Sequence, residues 1–96
     1  MKEKTTYKYA VITPEGTILN MYSNKDMYSK RETAENNLKK WIEQARTGEK
    51  NSREYGLSYP EYADLCAKDA EKEKQLAEML EACQVAKIKI TLEVVA

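Results

Sequence analysis

Hydrophobic and polar positions divide the chain into five stretches with different periods. Residues 7–13 (Tyr7-Lys8-Tyr9-Ala10-Val11-Ile12-Thr13) and 17–22 (Thr17-Ile18-Leu19-Asn20-Met21-Tyr22) are rich in aromatic and β-branched side chains and flank Pro14-Glu15-Gly16, which predicts a β-hairpin. Pro14 sets φ for the first turn position and Gly16 can take φ > 0, so a type I turn closed by a G1 bulge fits, with Thr13 facing Thr17. That register puts Tyr7, Tyr9, Val11, Leu19 and Met21 on one face, the better core. Lys8, Ala10, Ile12, Ile18, Asn20 and Tyr22 fall on the other. A register shifted by one would exchange the faces.

Ser29-Lys30-Arg31-Glu32 has the form of a capping box, and Ala34, Leu38, Trp41, Ile42 and Ala45 follow at helical spacing. A helix is predicted from here, ending at Thr47-Gly48, with Trp41 as main anchor of the core. A polar loop over residues 49–56 then leads to a second box, Ser58-Tyr59-Pro60-Glu61, with Leu57 and Tyr62 as its hydrophobic staple. The helix that follows can run about 25 residues, roughly 37 Å. Its middle, residues 68–74, has one apolar residue, Ala70, so the helix either bows away from the core there or breaks. The final run alternates Ala86, Ile88, Ile90, Leu92 and Val94 with Lys87, Lys89, Thr91 and Glu93, as a half-buried strand does.

The order β-β-α-α-β predicts an α+β fold: a three-stranded antiparallel sheet, the last strand beside the first, with a helical hairpin packed on one face. At 96 residues the chain allows a single domain, 1–96, of modest core size, with flexible segments at residues 1–6, 23–28 and 49–56. The start has no apolar signal-peptide core and no run is long enough to span a membrane, which points to a cytoplasmic protein.

Composition narrows the chemistry. There is no His, which removes the commonest general base and metal ligand and every Ser-His or Cys-His pair, so no catalytic residue, metal site or cofactor is expected. Cys66 and Cys83 would lie about 25 Å apart on one continuous helix, far beyond disulfide reach, and read as small buried hydrophobes. Glu61 with Asp64, and Glu78 with Glu81, pair at i, i+3 on what reads as a solvated helix face. The isolated Gly16, Gly48 and Gly56 form no phosphate loop.

Net charge is zero, but residues 51–84 carry eight acids against four bases while residues 1–50 carry ten bases against seven acids. Two surfaces stand out. The open sheet face would set Ile12, Ile18 and Tyr22 beside Lys8, Lys87 and Lys89, an apolar patch rimmed by Lys of the kind that marks an interface. Seven Tyr with no Phe is the second oddity. Tyr55, Tyr59 and Tyr62 cluster with Glu54, Glu61 and Asp64 into an acidic, aromatic patch suited to a basic partner, unless Tyr62 is core and the other two merely flank a loop.

Tyr9-Ala10-Val11-Ile12, then Pro14-Glu15-Gly16, then Ile18-Leu19 and a polar link into a helix with Ala34 and Leu38, resembles the opening of many small proteins encoded by phages and mobile elements. Among these are anti-CRISPR and other anti-defence inhibitors, which occupy a host protein's surface without catalysis. The resemblance covers about the first 40 residues and implies a binding role against a host protein in a bacterial cell. It carries over no functional residue. The expected function is therefore a small non-enzymatic protein-binding inhibitor. The alternative is a single-stranded nucleic-acid binder using Lys8, Lys87, Lys89 and the sheet aromatics, and a homodimer is a third reading.

Overall fold

The computed structural model describes residues 3–21 and 26–95. Its elements are β1 (Glu3–Ile12), β2 (Ile18–Leu19), α1 (Arg31–Ser58), a 3-10 turn (Pro60–Tyr62), α2 (Ala63–Glu81) and β3 (Gln84–Glu93). The fold is α+β, with an antiparallel sheet in the order β2-β1-β3, so the last strand lies beside the first as expected. The chain forms two compact units, one of Met1–Asn37 with Cys83–Ala96 and one of Leu38–Ala82.

The first unit is built on the hairpin. Gly16 takes φ 86°, and the Gly16 amide donates to the Thr13 carbonyl while the Thr13 amide donates to the Thr17 carbonyl, each at 2.9 Å. The two threonine hydroxyls share a further bond of 2.7 Å. Val11 pairs with Leu19 and Ile12 with Ile18, which is the register that the Pro14-Glu15-Gly16 loop dictates. Beyond Leu19 the edge of β1 is taken up by Tyr28, which exchanges backbone bonds of 2.8 and 2.7 Å with Tyr9 and is itself buried.

On its other side β1 pairs with β3 along its full length, from Glu3 opposite Glu93 to Ile12 opposite Gln84. Residues 3–6 are therefore strand, where the sequence suggests a flexible terminus: their partners at residues 90–93 supply the ladder that their own polar side chains do not announce. Residues opposite one another in an antiparallel pair share a face. Tyr7, Tyr9 and Val11 thus lie with Val85, Lys87 and Lys89, while Lys8, Ala10, Ile12 and Ile18 lie with Ala86, Ile88 and Ile90. This corrects the expected patch, since Lys87 and Lys89 are on the face opposite to Ile12, Ile18 and Lys8. Ala10 and Val11 are both fully buried although they point to opposite faces, and Tyr7, expected in the core, is half exposed.

The second unit is an antiparallel helical hairpin. The predicted stripe holds, with Trp41 and Ala45 buried and Leu38 and Ile42 half-buried. The predicted end does not, because α1 continues through Thr47-Gly48 and over the expected loop at residues 49–56 to Ser58. The glycines serve approach, not termination. A Cβ at position 56 would lie 3.0 Å from the Cβ of Cys66, and one at position 48 would lie 3.1 Å from Cδ of Glu73. Gly48, Ser52 and Gly56 recur every four residues and so share one side of α1, and the two glycines bring that side against α2 at Glu73 and Cys66. α2 neither bows nor breaks over residues 68–74; its Ala70 is fully buried, so one small residue at the right phase is enough to seat that stretch. Arg46 ties the two helices, its Nε and Nη2 donating to Oε1 of Glu81 at 3.1 and 2.7 Å. That hydrogen bond, opposed by partial desolvation and helped by the Glu81 charge, raises the Arg46 pKa.

Candidate functional site

What ends α1 also builds the most distinctive surface of the second unit. Pro60 has no amide to donate and disfavours helical backbone at the residue before it, so Tyr59 leaves the helix with φ −129° and ψ 83°. The Tyr59 amide still donates to the Tyr55 carbonyl at 2.9 Å, and the Tyr62 amide donates to the Tyr59 carbonyl at 2.9 Å, closing the 3-10 turn. Ser58 is consequently the last residue of α1, and α2 begins only at Ala63 with Tyr62 as N-cap and no side-chain cap bond. The expected Ser58–Glu61 capping box is not used.

This turn gathers three tyrosine rings. Tyr55 lies 4.6 Å from Tyr59 and 6.2 Å from Tyr62, centroid to centroid, at tilts of 33° and 37°, within the range of favourable offset aromatic pairs. Each ring keeps about half its surface in solvent, at 51%, 46% and 46% exposure, and Leu57 and Leu65 nearby are more exposed still. A groove of about 380 Å³ is lined by Tyr55, Tyr62, Leu65, Ser52, Cys66 and Asp69 among others. Glu54, Glu61 and Asp64 are all exposed in the same segment. Of the residues singled out from the sequence, Tyr55, Tyr59 and Glu61 are thus brought into one patch, and Tyr62 joins them instead of entering the core.

The sheet residues do not form a second such patch. Ile12 and Ile18 are opposite one another, half-buried and 39% exposed respectively. Tyr22 lies outside the described residues. On the reverse face Lys87 places its ammonium 4.5 Å from the centroid of the Tyr7 ring, and Arg31 places its guanidinium 5.2 Å from that of Tyr9. These are cation–π contacts; the one from Arg31 accompanies a 3.4 Å hydrogen bond from Nη1 to the Val85 carbonyl. Sequence reasoning missed a cavity of about 600 Å³ in the first unit, lined by Lys8, Asp26, Tyr28, Lys30, Thr33 and Ile90 among others. Residues far apart in sequence meet there, and no local motif signals it.

Among the described residues no group of three or more Cys, Asp or Glu is placed to hold a metal ion, and no helix is long and apolar enough to cross a membrane. Cys66 and Cys83 are both buried and are not joined in a disulfide. Burial raises the Cys83 pKa above its ordinary value, and the Glu15 carboxylate adds to the shift. Cys83 should therefore react with iodoacetamide more slowly at pH 8 than the same residue in the urea-unfolded chain, and equal rates would contradict this placement. The folded chain holds this proton more tightly than the unfolded one. The associated stability is complete below the ordinary thiol pKa and is lost as pH rises through the raised value, so Cys83→Ala should flatten the alkaline limb of a stability profile.

No family model matches the chain, and no curated protein or solved structure does either.

Proposed function

We propose that this protein is a non-catalytic protein-binding protein that acts by occupying a partner's surface. Tyr55, Tyr59 and Tyr62 anchor the contact, and Glu54, Glu61 and Asp64 favour a basic partner face. The observation that carries this reading is the cluster of three half-exposed rings at the turn between α1 and α2. Rings that already pack on one another lose little conformational freedom on binding, and tyrosine is enriched among residues that dominate interface energy. The narrower expectation, an inhibitor of a host defence protein, rests on the resemblance of the first 40 residues.

The test is a tagged pull-down from bacterial lysate with and without nuclease, comparing the wild type with Tyr55→Ala/Tyr59→Ala. A stoichiometric protein band that survives nuclease and is lost with the double variant is expected. With a purified partner, the affinity should fall at least about thirtyfold, the equivalent of roughly 2 kcal/mol for a dominant anchor. A band equally strong with the double variant would remove the tyrosine patch from the interface.

A second reading, single-stranded nucleic-acid binding, is favoured by the exposed Tyr7 ring sharing a face with Lys87 and Lys89. Lys8, on the other face, drops out of it. Recovery of nucleic acid in the untreated pull-down, lost on Lys87→Glu/Lys89→Glu, would put this reading first.

A further inference from the structure

The direction of the backbone groups in β3 can be followed from bonds on the far side of the sheet. The Thr13 amide reaches Thr17 beyond β2, and the Tyr9 amide and carbonyl both bond Tyr28 on that same side. Odd-numbered positions of β1 therefore turn their hydrogen-bonding groups away from β3, and even-numbered ones toward it. Hydrogen-bonded partners in an antiparallel ladder exchange both bonds, so Ala86, Ile88 and Ile90, opposite Ala10, Lys8 and Thr6, are the β3 residues that bond β1. Lys87, Lys89, Thr91 and Glu93 turn their amides and carbonyls to the outer edge. Among the described residues no strand pairs with that edge. The Arg31 side chain occupies the outward carbonyl of Val85 at its start, which leaves the edge open from Lys87 onward.

We propose that this edge is an interface for a second copy of the chain, which adds its own β3 antiparallel across a twofold axis at Ile90 and makes the two sheets continuous. Charge and strand length together select the register. With Ile90 opposite Ile90 of the second copy, Lys87 faces Glu93, Lys89 faces Thr91 and Ile88 faces Leu92, each pair occurring twice. The outward groups of residues 87–93 are then all matched within the strand. An axis one residue earlier would set Lys89 against itself, and two residues earlier Lys87 against Lys89, like charges directly opposed. An axis one residue later would push the partner of Lys87 beyond the strand, which ends at Glu93. The proposed register also gathers Ile88, Ile90 and Leu92 of both copies on one face, where Leu92 is 56% exposed in the single chain. An unprotected edge of this length is a template for strand addition, and self-pairing closes it.

A two-strand junction is small, so association in roughly the micromolar range is expected, read by sedimentation velocity between about 5 and 500 µM. The wild type should move from monomer to dimer mass across that range. Lys87→Glu and Glu93→Lys should each weaken dimerisation at least about tenfold, because each sets like charges face to face twice. The combined Lys87→Glu/Glu93→Lys chain should recover wild-type affinity, since the swap restores both pairs. Thr91→Pro removes an outward amide while leaving the β1 ladder intact, the edge position where proline is tolerated, and should leave only monomer. In an oxidising buffer, Ile90→Cys should cross-link to itself, because non-hydrogen-bonded partners stand about 4.5 Å apart between α-carbons, whereas Ile88→Cys should not. A wild type that stays monomeric, a dimer indifferent to Thr91→Pro, or a double swap that fails to restore what the single changes lose would each overturn the proposal. The charge swap decides the matter even where the proline variant unfolds.

Discussion

Replacing Trp41 by alanine is expected to cost roughly 3–5 kcal/mol of folding stability, the range for truncating a large buried aromatic. Trp41 is 4% exposed in the middle of the apolar stripe of α1, and its removal takes away both the transfer energy of the ring and its contacts with whatever fails to collapse into the space. A folded chain of this length holds about 5–14 kcal/mol in total. The variant should therefore sit close to its unfolding threshold at 25 °C, with a urea midpoint lowered by a large fraction. Because Trp41 is the sole tryptophan, the transition has to be followed by circular dichroism or tyrosine emission. A loss below about 1 kcal/mol would mean that Trp41 is not the anchor of the helical unit.

The second large effect separates two glycines that look alike in the sequence. Gly56→Val should destabilise by about 2–3 kcal/mol, because the new Cβ would sit 3.0 Å from the Cβ of Cys66, an atom fixed to its own helix backbone. Only a few tenths are recovered from the better helix propensity of valine. Gly48→Ala should be neutral or stabilising by up to about 1 kcal/mol. Its new Cβ meets the far end of the Glu73 side chain, which can swing aside. Chemical denaturation of the two variants in parallel tests the pair. Equal costs would show that the helices do not approach unevenly along their length.

These glycines also show where the sequence could be read and where it could not. The hairpin register, the start of α1, the Trp41 stripe and the place of the last strand followed from local periodicity and turn chemistry. The end of α1 did not, because Thr47-Gly48 satisfies the ordinary signature of a helix stop. Only the recurrence of small residues at 48, 52 and 56 along one side of the helix marks a close approach instead. At Ser58 two local signals conflicted. The capping box asked for a helix start, but Pro60 forces Tyr59 out of helical backbone, and the proline constraint is the stronger by several-fold.

The tyrosine patch was legible as a cluster because its members are near neighbours in sequence. The composition of the sheet faces was not, because the parity of the β1–β3 pairing is set by strands joined through two helices. No turn of fixed length transmits that register, and a shift of one residue moves Lys87 and Lys89 to the other side.

The same long connection has a consequence in time. β1 is synthesised first, yet its full-length partner follows only after both helices have left the ribosome. The helical unit, residues 38–82, is contiguous in sequence and is complete once its own residues have emerged, while β1 waits with both edges unsatisfied apart from the short β2 and Tyr28. Completion of the sheet is thus the non-local step in the assembly of this chain, and a product cut short before residue 84 retains the residues of the helical unit and loses its longest strand pairing.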